Sequence, residues 1–202
     1  MSKQNDKTIE TYNSAFKKYL ANIQPLPVDH VKIWLDKTVS KLPKTAKILE
    51  IGSAGGTEAD YLESEGYSVI RSDVIDGFIN YNEAKGRNCL KLNAIKDDLP
   101  IECDLIFANA VLLHFTKVEA RIFLKKCYES LSPAGRLALT TKQGDDYYWQ
   151  MNVLDSPRFE QFWQAEDLEA ELGAAGFKVT DLVKSKSSSR DTIWIELIAG
   201  RD

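Results

Sequence analysis

Residues 48–59 read Ile-Leu-Glu-Ile-Gly-Ser-Ala-Gly-Gly-Thr-Glu-Ala, an apolar run that enters small residues and then opens a helical pattern. Gly52, Ser53, Ala54, Gly55 and Gly56 leave the backbone bare enough for a ligand to approach it closely. A pyrophosphate cradle of the G-x-G-x-x-G kind fails on spacing. Counted from Gly52, the later glycines would fall at Ala54 and Thr57, and Gly55 also meets Thr57 two places on. Glu50, near the end of the apolar run, suits a positively charged ligand group better than a pyrophosphate. Asp73 closes a second strand-like run, Tyr67–Ser72, and Val74 follows it. A carboxylate at a strand end can accept both hydroxyls of a ribose, so Asp73 points to a nucleoside without choosing which.

These residues need elements that bring strand ends together. Lys7–Ala21 and Val28–Leu42 read as helices parted by Pro25 and Pro27, and Pro43 closes that section. From Ala46 strands and helices alternate. Strands are expected at 46–51, 67–72, 89–92, 104–108 and 135–141, with helices at 57–65, 77–85 and 117–131. Such alternation implies a right-handed parallel sheet. After a helix at 166–175, the runs 177–183 and 192–199 are joined only by a serine-rich loop at 184–189. So short a link makes the pair antiparallel. The expected fold is α/β, a mostly parallel seven-stranded sheet closed by an antiparallel C-terminal pair, with helices on both faces. Ligands of such sheets bind at the carboxyl ends of the strands, near the point where strand order reverses.

In these motifs and their order, from Thr11 to Ala199, the chain resembles the Rossmann-like class I S-adenosylmethionine-dependent methyltransferases, within them the small bacterial type 11/type 25 group. Glu50, Gly52 and Gly56 match the family's first motif, with Ala54 in place of its middle glycine. Asp73 matches the ribose-binding acid. Asn93-Ala94 stands where Asp-Ala is usual and contacts the adenine amino group. Residues 104–115 resemble the fourth strand and its loop, whose backbone at Asn109 and Ala110 lines the sulfonium side. Residues 131–137 resemble the turn before strand five. The resemblance implies S-adenosylmethionine as cofactor, S-adenosylhomocysteine as product, and residues 1–45 as a helical cap on a core at 46–202, all one domain. A catalytically inactive cofactor-binding module with a regulatory role is the alternative, suggested by Ala54 and Asn93. An NAD-dependent oxidoreductase is a third reading.

His114, after strand four, is the candidate general base if the acceptor must lose a proton. Tyr12 and Tyr19, two helical turns apart, are candidates to cap the pocket. Lys142, Tyr147 and Trp149 after strand five, with Arg158 and Trp163 beyond, are candidates for a substrate wall or lid. The loop after strand four lacks the aromatic that base-methylating enzymes use against a flipped base. Lys and Arg total 26 against 30 Asp and Glu, a net charge of −4 that also disfavours nucleic acid. Composition, 44% hydrophobic and 28% charged, suits a globular chain of 202 residues. No run reaches the ~18 apolar residues of a membrane span. Cys89, Cys103 and Cys127 lack metal-ligand spacing and, with a polar start, imply buried free thiols in a cytoplasmic protein. No metal is expected, and the expected acceptor is a small molecule.

Overall fold

The computed structural model describes residues 2–27, 29–151, 154–186 and 191–201. Helix α1 (Lys3–Leu20) and α2 (Asp29–Val39) precede β1 (Ile48–Ile51), α3 (Thr57–Ser64), β2 (Val69–Asp73), α4 (Asp76–Glu83) and β3 (Cys89–Lys91). Then come β4 (Cys103–Ala108), a short 3-10 turn (Leu112–His114), α5 (Lys117–Ser130) and β5 (Leu131–Lys142). The chain continues through β6 (Tyr147–Gln150), β7 (Arg158–Gln161), α6 (Ala165–Ala174), β8 (Phe177–Lys186) and β9 (Ile193–Arg201).

Seven strands form one sheet in the order β3-β2-β1-β4-β5-β9-β8. The first five run parallel, and β9 lies antiparallel between β5 and β8. The chain leaves β1 toward β3 on one side and resumes at β4 on the other, so order reverses between β1 and β4. A crevice at that reversal, at the carboxyl ends of the strands, is the default ligand site of this architecture. The strands at the reversal are short apolar runs because helices cover both faces. On one face Trp34 and Leu35 of α2 and Ala59 and Leu62 of α3 pack on Ile48, Leu105 and Phe107. On the other, Phe123, Leu124 and Cys127 of α5 and Leu168 and Leu172 of α6 pack on Leu49, Ile106 and Leu139. All three cysteines are buried and unpaired. Among the described residues, no helix is long and apolar enough to cross a membrane.

Three elements differ from the sequence reading. Helix α1 starts at Lys3, where Ser2 caps it by accepting from the Asn5 N–H. Strand β5 reaches back to Leu131 and takes in the Ser132-Pro133 turn, with Ala134 at φ 61° and a register break opposite β4. The stretch expected as a lid loop folds as an antiparallel hairpin, with Tyr147 opposite Gln161 and Gln150 opposite Arg158. Ser187–Ser189 of the expected serine-rich loop lie outside the described residues.

Candidate active site

The glycine loop after β1 is pinned to β2 through its own backbone. Gly52 and Ser53 both donate their N–H to the Ser72 carbonyl, at 2.9 and 2.8 Å. The Ser53 hydroxyl in turn accepts from the Ser72 N–H at 3.1 Å. Gly52 sits at φ +77°, and a Cβ placed there would meet the Val111 side chain at 2.6 Å. Only glycine fits. Gly55 lies under Ile23 of the α1–α2 link, and Gly56, the residue before α3, is enclosed by Arg71 and Asn82.

A cavity of about 480 Å³ opens at the reversal point, and Gly52, Ala54, Asp73, Val74, Asn93, Ala94, Asn109 and Ala110 line it. Asp73 holds its carboxylate by accepting from the Ile75 N–H and the Ala54 N–H, each at 2.9 Å. Burial raises its pKa to about 6, against the pull of those amides. Glu58, in the first turn of α3, also lines the cavity and accepts from Asn109 Nδ2 at 2.7 Å. The Thr140 hydroxyl donates to Asn109 Oδ1 at 2.6 Å and accepts from the Ala110 N–H at 2.9 Å. That fixes a turn whose Ala110 stands at φ 54°.

Behind the glycine loop lies Glu50, fully enclosed, with Oε2 lacking any partner among the described residues. Burial and then the Glu58 charge raise its pKa to about 8, opposed by the Ser53 hydroxyl and the Arg71 guanidinium. The Asn93 side chain is used differently from the expectation. Its Oδ1 accepts from the Ile95 and Lys96 N–H groups at 3.1 and 3.2 Å, which builds the turn after β3. The carbonyl expected to receive the adenine amino group is thus turned into its own loop.

The other half of the wall comes from α1, the 3-10 turn, β5 and β7. Tyr12 and Tyr19 both line the cavity, their rings 5.6 Å apart, and each packs on Phe78 of α4. His114 Nδ1 lies 2.8 Å from the Phe159 carbonyl, which can only accept, so the proton sits on Nδ1. Nε2 therefore accepts from the Tyr12 hydroxyl at 3.0 Å, and Arg158 NH1 donates to that same hydroxyl at 2.8 Å. Burial lowers the His114 pKa to about 4, so the ring is neutral near pH 7. Lys142 Nζ donates to Glu160 Oε2 at 2.5 Å, and both residues face the cavity.

Three expected wall residues are elsewhere. Tyr147 and Trp149 are half exposed on β6 and stack on Phe159, because the hairpin turns them to its outer side. Trp163 is buried in the core with Leu168 and Leu172. Residues the sequence reading missed include Glu58, Phe78, Glu160, His30 and Trp194. A carboxylate in the first turn after a glycine loop was a usable sign for Glu58. The others come from elements distant in sequence and carry no local signal.

A family model described as a methyltransferase domain matches residues 29–182. The chain belongs to that family. The match shows the methyltransferase family and does not divide it into the type 11/type 25 group. A curated relative, the ubiquinone biosynthesis O-methyltransferase of Azorhizobium caulinodans, is 26% identical over 69% of this chain. The match spans 61% of that relative's length. A crystal structure of Burkholderia thailandensis 1,6-didemethyltoxoflavin-N1-methyltransferase, with its acceptor and S-adenosylhomocysteine bound, superposes at a TM-score of 0.75. It is 15% identical, with 98% of this chain and 86% of that one covered. The cyclase SpnF shares the fold at a TM-score of 0.77, 14% identity, and coverage of 99% and 97%.

Proposed function

We propose that this chain transfers a methyl group from S-adenosylmethionine to a small-molecule acceptor. What carries the reading is the acidic lining at the reversal point, Asp73 and Glu58, with Glu50 buried behind a loop that admits no side chain at Gly52. Asp73 would take the ribose hydroxyls, its carboxylate already aimed by two amides. Glu58 would face the cationic methionine end with Glu50 behind it, and a cation there offsets the burial that raises both their pKa values. When bound, the cofactor supplies a sulfonium methyl that moves by in-line displacement. The chain's own part is to align the partners and exclude water, worth roughly 7–11 kcal/mol in favourable cases.

On this reading α1 caps the core, while α2 belongs to the layer that covers the sheet, and α1 supplies the acceptor side through Tyr12 and Tyr19. Because both nitrogens of His114 are engaged, we assign it to holding the Tyr12 hydroxyl. Service as a base would require Tyr12 to leave Nε2. The buried thiols fit a reducing cytoplasm. A second reading keeps the cofactor and drops the transfer. Ala54, whose methyl stands where the family motif has its middle glycine, favours it.

Calorimetry with S-adenosylmethionine and S-adenosylhomocysteine, followed by a labelled-methyl assay on a panel of phenols, amines and acids, separates the readings. Binding with turnover supports the enzyme; binding without turnover supports the module. Absence of binding removes both. Asp73→Ala is expected to weaken S-adenosylhomocysteine by about 1.5–3 kcal/mol, the loss of charge-assisted hydrogen bonds. Unchanged affinity would leave Asp73 as a loop anchor only.

A further inference from the structure

The cavity is electrically lopsided. Asp73 closes β2, whereas Lys142 closes β5, three strands away in the order β2-β1-β4-β5. At about 4.8 Å per strand that is about 14 Å along the sheet edge. At the β5 end stand two cations, Arg158 and Lys142, and one carboxylate, Glu160. Lys142 is satisfied by Glu160 at 2.5 Å. Arg158 is not. Its side chain is only 9% exposed, and its nearest approach to Glu160 is 3.9 Å, too long for a hydrogen bond.

Among the described residues the Arg158 side chain makes one hydrogen bond, NH1 to the Tyr12 hydroxyl, and its buried Nε has no partner. A guanidinium carries five donors, and burying them unmatched is costly. The neighbouring carboxylate of Glu196 is engaged by His30 Nδ1 at 2.5 Å and takes no part in the wall. Ion pairing between hairpin and sheet would explain Lys142 and Glu160, but not a cavity-facing arginine left short of acceptors.

Resting on the methyltransferase reading, we propose that the acceptor carries a carboxylate, which Arg158 binds with help from Lys142. The group of three has one positive charge in excess, so a monoanion balances it and a phosphate dianion overshoots. Tyr19, Phe78, Leu113 and Trp194 supply apolar wall for the rest of the molecule, an aryl or short hydrocarbon body.

The test compares benzoate, phenylacetate and 3-phenylpropanoate with their amides and with phenyl phosphate, by calorimetry on the whole protein with and without S-adenosylhomocysteine. At least one carboxylate should bind about tenfold more tightly than its amide, the scale of a charge-assisted hydrogen bond. Arg158→Gln should erase that preference and Arg158→Lys should restore part of it. Amides that bind as well as acids, no carboxylate binding at all, phenyl phosphate binding best, or a preference that survives Arg158→Gln would each overturn the proposal. The wild-type comparison decides alone if the buried variant does not fold. Acid preference without S-adenosylhomocysteine binding would sink the cofactor reading and leave the anion site standing; the reverse result would do the opposite.

Discussion

Glu50 and Asp73 are carboxylates held where water would normally be needed. Their folded pKa values lie above the ordinary ones, about 8 against 4.5 and about 6 against 3.8. The folded protein therefore keeps protons that the unfolded chain releases, and each group makes stability fall as pH rises across its window. Between pH 7 and 8 Asp73 has largely ionised, so the remaining slope belongs chiefly to Glu50. Glu50→Gln should flatten that slope in thermal unfolding and raise ligand-free stability at pH 8 by about 1–3 kcal/mol. The same change should weaken S-adenosylhomocysteine; a variant that is no more stable, or that binds unchanged, would mean Glu50 is compensated in some other way. Gly52→Ala is a harsher change than a blocked pocket alone. At φ +77° an alanine costs about 1–2 kcal/mol before its methyl meets Val111. Lower stability and lost binding should appear together, and an unaltered melting temperature would contradict the backbone argument. Both residues were legible in the sequence, because a carboxylate ending an apolar strand and a glycine opening a loop are local signals. Glu160 was not, since its importance comes from Lys142, eighteen positions away in β5.

Among the elements, the parallel strands were readable because each is a short apolar run bounded by turns. Helix α1 was read four residues short for a physical reason. The residues it buries, Asn5, Thr8 and Thr11, are polar, and the apolar period begins only at Ile9, with Tyr12, Phe16 and Tyr19 following. Asn5 Nδ2 donates to the His114 carbonyl at 3.1 Å, the Thr8 hydroxyl accepts from the Phe159 N–H at 2.9 Å, and the Thr11 hydroxyl donates to the Pro157 carbonyl at 2.7 Å. A helix start that docks by hydrogen bonds offers no hydrophobic period to detect. The hairpin of β6 and β7 reads as a loop in the sequence because Tyr147, Tyr148 and Trp149 stand on it half exposed, without the alternation of a strand with one covered face. Tyr12 ties these elements together. Tyr12→Phe would leave His114 Nε2 and Arg158 NH1 buried without partners, a cost of about 1–3 kcal/mol. Thermal unfolding should register that loss at pH 7, where His114 is neutral; no change would place water in the hydroxyl's role.

Across the whole molecule, the roof of the cavity is the first helix and its link, seated on Phe16 over Gly77 and Ile23 over Gly55. A nucleoside bound in the cavity would lie against that roof. Amide hydrogen exchange in α1 should slow when S-adenosylhomocysteine is added, while exchange in β1, β4 and β5 stays as it was. Equal protection with and without ligand would mean that the bound ligand does not touch the roof.

The outer end of the roof is tied to the body through Ser2. Ser2 donates both its N–H and its hydroxyl to Glu119, the same carboxylate that completes the capping box with Thr116 at the start of α5. Glu119→Gln would therefore slacken two helix starts at once, those of α1 and α5, although one lies at the front of the fold and the other in its middle.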